Sequence, residues 1–456
     1  MKVFGSSGVR GVTNDSLTPE FVTRVAMAAG STLRADGADR VALGRDTRHT
    51  GELFADAAAS GLASVGCGVD RLGRLPTPAL QAYAAEEGVP AVMVTASHNP
   101  PAYNGIKLIG PDGIELNRQA LERVEDRLLA DRFDRVGWSD TGTTARVDGV
   151  RRSYIEEAVA AADRERVADA ELTVAIDPGH GAGALTSPPL FRELGCEVVT
   201  VNGEPDGHFP GRDPEPVEEN LADLRRLVRA SGADLGVAHD GDADRAVFVD
   251  ERGQHVEGDA ALAALAAAEL ERGDVAVSAV NVSQRLVDVV SEAGASLELT
   301  PIGSTHIITR VRELQAEGER VPVAGEGNGG VLFPDYRLAR DGAYTAARLC
   351  ELVADTAASR LVERYDGYAN VRTNVRYSGD AERERLLAAA ESAAREQSER
   401  GADLTTIDGY RLDYGDAWVL IRPSGTEPLV RVYSEARDPE RAEELAAFAR
   451  DALEDA

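Results

Sequence analysis

Three times along this chain a short apolar run that reads as a β-strand breaks off into a loop dense in polar side chains. Ala91-Val92-Met93-Val94 runs into Thr95-Ala96-Ser97-His98-Asn99-Pro100. Asp234 to Ala238 runs into Asp240-Gly241-Asp242-Ala243-Asp244-Arg245, and Val321-Pro322-Val323-Ala324 into Gly325-Glu326-Gly327-Asn328-Gly329-Gly330. Ala-rich helical stretches follow the strand-like segments, which is the alternation of α/β domains. Open α/β sheets place ligands at such strand ends. A fourth block, from about Gly367, carries strand-like Trp418-Val419-Leu420-Ile421 followed by Arg422-Pro423-Ser424-Gly425-Thr426-Glu427. A chain of 456 residues is too long for one core and has room for roughly three or four domains. The segments read as 1–150, 151–254, 255–367 and 368–456. A polar, weakly periodic stretch ends near 150, Asp250-Glu251-Arg252-Gly253 is a turn signal, and Asp366-Gly367 closes a helical stretch.

Charge excludes some partners. The 78 acidic residues against 49 basic ones leave a formal −29, and such a surface repels nucleic acid and anionic membranes. No apolar run reaches the roughly 18 residues of a membrane-spanning helix. The opening Met1-Lys2-Val3-Phe4-Gly5 lacks the apolar core of a secretory signal, so a cytoplasmic protein is expected. Cys67, Cys196 and Cys350 lie far apart with no CxxC pair, a pattern of buried thiols rather than a disulfide framework or thiolate metal site. Lysine occurs only at Lys2 and Lys107. Acid excess with lysine loss suggests a salt-adapted cytoplasm, although GC-rich codon usage would also favour arginine.

The four loops differ in chemistry. A serine after a buried strand, followed by His98, Asn99 and Pro100, sets a hydroxyl in a rigid turn with a base beside it. Serine needs activation to act as a nucleophile, and the bland alternative is a turn in which Ser97 and Asn99 only bond backbone amides. Lys107 follows on the same loop and, unlike arginine, can give up its proton. Asp240, Asp242 and Asp244 alternate, so in an extended loop their oxygens converge as ligands for one hard cation such as Mg²⁺; a solvated acidic loop is the alternative. The segment is no EF-hand, since Arg245 stands where that loop needs glycine. In the Gly325–Gly330 loop, glycines admit a ligand and Glu326 and Asn328 can bond vicinal sugar hydroxyls, or the loop is a plain turn. Arg422, Ser424, Gly425 and Thr426, with Arg431 beyond, form a phosphate cradle.

Taken together, the four loops resemble the α-D-phosphohexomutase family in order and spacing over essentially the whole chain. Phe4-Gly5-Ser6-Ser7-Gly8-Val9-Arg10-Gly11 is similar to that family's opening. The resemblance implies a four-domain, heart-shaped α/β protein, with three similar α/β domains of mixed sheets and a smaller C-terminal α+β domain around a central cleft. It implies that Ser97 is phosphorylated and that Asp240, Asp242 and Asp244 hold one Mg²⁺ with that phosphate. Arg10 and Arg245 then lie near the phosphoserine, and His98 and Lys107 are both acid–base candidates. Glu326, Asn328 and Gly303 would contact the sugar, while Arg422, Ser424, Gly425, Thr426 and Arg431 would hold the phosphate that is not transferred. The implied reaction interconverts hexose 6-phosphate and hexose 1-phosphate through a 1,6-bisphosphate, which also serves as activator. Asn328 replaces a serine found in many relatives, and Pro301 stands where many have lysine. The motifs are most similar to archaeal phosphoglucosamine mutases; glucose, mannose and pentose phosphates are the alternatives. Outside the family, a metal-dependent phosphatase, an Asp-x-Asp glycosyltransferase or a non-catalytic sugar-phosphate sensor would each explain part of the pattern.

Overall fold

The computed structural model describes residues 3–5, 8–424 and 427–455. The chain divides into two compact units, Met1–Ala261 with Asn328–Val362, and Leu262–Gly327 with Glu363–Ala456.

In the first unit, β1 (Val9–Val12), β2 (Arg40–Arg45), β3 (Gly68–Arg74), β4 (Ala91–Val94), β5 (Tyr103–Ile109) and β6 (Thr144–Arg146) form a mixed sheet in the order β1-β5-β4-β2-β3-β6. Strands β4, β2, β3 and β6 run parallel, and β5 lies antiparallel between β4 and β1. All four residues of β4 are buried, as befits a strand covered on both faces. The helix Pro19–Ala35 starts where Thr18 accepts the Phe21 N–H and proline fills the first turn, a cap that satisfies an otherwise orphaned donor. It packs with the helices Gly51–Ser64 and Arg118–Leu129 over one core.

The second sheet repeats the device. β7 (Thr173–Asp177), β8 (Glu197–Thr200), β9 (Leu235–His239), β10 (Ala246–Asp250) and β11 (His255–Val256) lie in the order β11-β10-β9-β7-β8. Strands β9, β7 and β8 are parallel and β10 is antiparallel to β9. In both sheets, therefore, a buried parallel strand ends in a polar loop and the chain returns antiparallel: β4 to β5 carries Ser97, and β9 to β10 carries the three aspartates.

In the second unit, β12 (Val275–Ala279) pairs in parallel with β13 (Ser296–Thr300) and β14 (Ala324–Glu326). The strand expected over Val321–Ala324 starts only at Ala324, because Pro322 has no N–H for a ladder bond. Glu326 consequently ends a strand instead of lying in an open loop. Back in the first unit, β15 (Gly330–Phe333) and β16 (Arg337–Arg340) form an antiparallel pair. The C-terminal part of the second unit is a wholly antiparallel sheet of β17 (Ala369–Arg376), β18 (Asp403–Thr405), β19 (Tyr410–Asp413), β20 (Ala417–Pro423) and β21 (Leu429–Ala436), ordered β17-β21-β20-β19-β18. The helices Asp380–Glu399 and Pro439–Glu454 cover it. Mixed α/β sheets and a smaller antiparallel α+β domain are the classes expected from the sequence. Cys67, Cys196 and Cys350 are buried and unpaired. No helix among the described residues is long and apolar enough to cross a membrane.

Candidate active site

Ser97 is buried at the carboxyl end of β4, with a positive φ of 51°. Ala243 in the aspartate loop is likewise at 56°. Left-handed backbone at a non-glycine residue costs of order 1–3 kcal/mol and persists only where the surroundings enforce it. Here they do. The Thr95 hydroxyl accepts the Ser97 N–H at 2.9 Å and donates to Asp46 Oδ2 at 2.6 Å. Asp46 is also bonded by Arg48 Nε at 3.1 Å. The rest of that guanidinium donates to four carbonyls of the serine loop: Pro100 at 2.7 Å, Tyr103 at 2.8 Å, Ser97 at 2.8 Å and Asn99 at 2.6 Å. Arg48 is 1% exposed. The aspartate loop fits against this frame through Gly241, where an added Cβ would fall 2.6 Å from the Ser97 carbonyl oxygen.

The two loops bring the catalytic candidates together. Ser97 Oγ donates to Asp240 Oδ2 at 2.6 Å and lies 3.3 Å from His98 Nδ1. Lys107 Nζ donates to Asp242 Oδ2 at 2.8 Å and to Asp244 Oδ2 at 3.0 Å. Arg340 adds a bond to Asp244 Oδ2 at 2.6 Å, and Thr77 donates to Asp242 Oδ2 at 2.5 Å. Arg245 Nε is 3.8 Å from Asp244 Oδ1, and Arg10 bonds Asn99 Oδ1 at 2.9 Å.

The charges follow from this crowding. Burial, then the neighbouring Asp244 and Asp242, push the Asp240 carboxyl up to about 7. Burial also opposes charge on Asp244, but Arg340, Lys107 and Arg245 outweigh it and hold the carboxyl well below the ordinary range. For Asp242 the Lys107 ammonium does the same against burial. Lys107 is itself disfavoured by burial, yet Asp242 and Asp244 raise it above its ordinary value. Burial, reinforced by Arg245 and Arg10, drives His98 down to about 3, so it is a neutral imidazole.

The aspartates suit a hard cation. One oxygen from each lies within 4.8 Å of the others. Asp242 Oδ1 and Asp244 Oδ1 are buried without a hydrogen-bond partner among the described residues. Oxygen donors left unpaired in a buried acidic cluster are what Mg²⁺ requires, so the donor set fits that ion.

Among the described residues, five of the sequence-derived substrate candidates lie in the second unit. Gly303, at φ 127°, precedes the helix Ser304–Glu317. The Asp408 carboxylate accepts the Ile302 N–H at 3.2 Å and pairs with Arg422 at 3.0 Å, tying the Thr300–Gly303 turn to the start of the arginine loop. Arg422 Nε and Arg431 Nε are buried without a hydrogen-bond partner among the described residues. Ser424 Oγ accepts the Glu427 N–H at 3.3 Å, and Arg431 pairs with Glu427 at 2.8 Å. Gly425 and Thr426 lie outside the described residues. Glu326 is buried in this unit. Asn328, in the first unit, caps the Gly330 N–H at 3.0 Å, one residue before Gly329 meets Ala246 beside the aspartate loop.

Four family models match consecutive stretches of the chain. They are phosphoglucomutase/phosphomannomutase α/β/α domains I, II and III over residues 1–135, 152–253 and 257–370, and the C-terminal domain over residues 373–452. The chain belongs to the phosphoglucomutase/phosphomannomutase family. Within it, a phosphoglucomutase/phosphomannomutase of Thermococcus kodakarensis is 42% identical over 100% of this chain and 99% of its own length. A protein of Methanopyrus kandleri named "probable phosphoglucosamine mutase" is 39% identical, covering 97% of this chain and 96% of its own. The crystal structure of a phosphoglucomutase/phosphomannomutase family protein from Burkholderia thailandensis superposes with a TM-score of 0.86 at 29% identity, over 99% of this chain and 97% of that one. This member of the phosphoglucomutase/phosphomannomutase family is thus an enzyme, an isomerase of the phosphohexomutase class.

Sequence reasoning missed Asp46, Arg48, Thr77, Arg340 and Asp408. Asp46-Thr47-Arg48 at the end of β2 carries the same signal as the other loops, polar residues leaving a strand, and could have been found by it. Thr77, Arg340 and Asp408 sit in no such pattern.

Proposed function

We propose that this phosphohexomutase interconverts hexose 6-phosphate and hexose 1-phosphate through a phosphorylated Ser97 and a 1,6-bisphosphate, with glucosamine phosphate as the leading substrate. The observation that carries the reading is the 2.6 Å contact between Ser97 Oγ and Asp240 in a buried aspartate cluster with two unpaired oxygens. Phosphorylation would add up to about two negative charges beside three carboxylates. Lys107, Arg340 and Arg245 meet the aspartates, and Arg10 meets Asn99 of the serine loop. Asp240, Asp242 and Asp244 would hold Mg²⁺, which when bound supplies Lewis-acid stabilisation of phosphoryl oxygens. The strained turn under Arg48 fixes Ser97 so that its phosphoryl group presents one face to the incoming hydroxyl, and positioning of this kind is the main work of phosphoryl transfer. Arg10 and Arg245 offset charge on the equatorial oxygens.

A base must take the hydroxyl proton. His98 has the neutral ring for this, and Lys107, once its aspartates bind a cation, is the other candidate. Glu326, Asn328 and Gly303 are assigned to the sugar, and Arg422, Ser424, Gly425, Thr426 and Arg431 to the phosphate not being transferred. A hexose 1,6-bisphosphate released early would leave an unphosphorylated enzyme, and the same compound would recharge it; this is its role as activator. We place the protein in a salt-adapted cytoplasm on its charge and composition. The names of relatives favour glucosamine phosphate, while the Thermococcus relative keeps glucose and mannose phosphates as the second reading. Coupled assays with glucosamine, glucose, mannose and ribose phosphates test it: kcat/KM highest for glucosamine 6-phosphate is expected, and a strong preference for another sugar would replace that assignment.

A further inference from the structure

A cleft of the first unit, whose lining does not include Ser97, has no part in the reading above. Its volume is about 790 Å³, within the range of small-molecule sites. It opens at the carboxyl ends of the parallel strands β2, β3 and β6, which contribute Arg45, Arg71 and Arg74, and Arg146. The first turn of the helix Val150–Ala161 closes it with Arg151 and Arg152. Six arginines therefore line one cleft, against only two carboxylates, Glu52 and Asp148. In a chain of formal charge −29, that local excess runs opposite to the rest of the surface.

Ion pairs account for only part of it. Arg45 and Arg71 pair with Glu52 and Asp56, Arg146 with Asp148 at 2.9 Å, and Arg152 with Glu156 at 2.7 Å and with Glu193. Their carboxylates reach solvent, so the pairs are worth little and can be exchanged for a better anion. Arg74 and Arg151 have no hydrogen-bond or ion-pair partner among the described residues. The helix start adds the positive end of its dipole, and its cap, Gly149, has no side chain to bond the first amides. Leu72, Ile155 and Pro189 supply an apolar wall beside the cationic one.

We propose that this cleft binds a small polyphosphate of the nucleoside di- or triphosphate class. Arginines arriving from four separate elements suit more than one phosphate, since each guanidinium fork can take two oxygens of a different group. The apolar wall suits the flat face of a base. A sugar monophosphate would occupy a fraction of this volume and leave most of the arginines unused.

Isothermal titration calorimetry with ADP, pyrophosphate and adenosine at low and high KCl tests the site. Wild-type protein should bind one ADP per chain, with affinity falling as salt rises, and should not bind adenosine. The double variant Arg74→Gln/Arg151→Gln should lose at least roughly tenfold in ADP affinity, as expected for two charge-assisted contacts, while its circular dichroism and mutase activity stay unchanged. Arg422→Ala should bind ADP as the wild type does. Absence of ADP binding, affinity untouched by the arginine pair, loss of binding in Arg422→Ala, or binding of pyrophosphate but not ADP would each overturn the assignment.

Discussion

Replacing Arg48 by lysine keeps the positive charge and removes the fork. In the native protein this guanidinium satisfies five acceptors: Asp46 Oδ2 and the carbonyls of Ser97, Asn99, Pro100 and Tyr103. An ammonium has three donors, so at least two of these five bonds are lost in a site that is 1% exposed. Each charge-assisted bond lost costs about 1.5–3 kcal/mol, which places the loss for Arg48→Lys at about 3–6 kcal/mol. That is a large share of the ~5–15 kcal/mol that holds a domain folded, and Arg48→Met, which removes every bond, should be worse. Because the lost bonds hold the loop that carries Ser97, kcat should fall with stability. A misplacement near 1 Å at a reacting group is enough for about 100-fold. Urea titration gives the first quantity, and steady-state kinetics on the folded variant give the second, with KM changing less than kcat. Wild-type stability and kcat in Arg48→Lys would refute the clamp.

Excess Mg²⁺ should raise the melting temperature of the wild type by binding only the native state, worth about 2.7 kcal/mol at 100 times Kd, and should do nothing for Asp242→Ala; differential scanning calorimetry reads both, and reversible loss of activity in chelator should accompany it. Lys107→Arg should fold yet lose at least roughly 100-fold in kcat, because the site built around a compact ammonium 2.8 Å from Asp242 and 3.0 Å from Asp244 does not admit a planar fork; kinetics equal to wild type would show that charge alone suffices. Glu125 is disfavoured as an anion by burial, but the Phe4 N–H, Arg118 and the Val3 N–H outweigh that and lower its pKa. Its stabilisation is therefore complete above the unfolded value of about 4.3 and is lost as pH falls through the lower folded value. Glu125→Gln should melt below the wild type at neutral pH and converge with it as pH falls through the folded value; a constant difference across that window would contradict the assignment.

How far the sequence could be read depended on whether a functional group lies in a contiguous loop. Ser97, His98 and the three aspartates each sit in a short polar run directly after an apolar strand, so pattern alone exposed them, and the family resemblance supplied their convergence. Arg340 reaches Asp244 across 96 residues, and Thr77 reaches Asp242 across 165; neither leaves a local trace. Arg48 acts on backbone carbonyls, which carry no side-chain signature at all. The strand before Glu326 was misplaced because apolar Val321 and Val323 suggested pairing that Pro322 prevents. The cleft between the ends of β2, β3 and β6 and the helix Val150–Ala161 was hidden for a related reason: its arginines are scattered singly through a chain in which nearly every basic residue is arginine.

Ser97 is the proposed phosphoryl carrier, and intact-protein mass spectrometry tests that directly. Purified wild type incubated with hexose 1,6-bisphosphate should show a species heavier by about 80 Da, one phosphoryl group. That mass should fall back when sugar monophosphate is added in excess and the enzyme is trapped during turnover. Ser97→Ala should show no such species under any condition and should lack mutase activity while melting near the wild-type temperature. A Ser97→Ala protein that still gains the phosphoryl mass, or that still interconverts hexose phosphates at a rate near wild type, would contradict the mechanism.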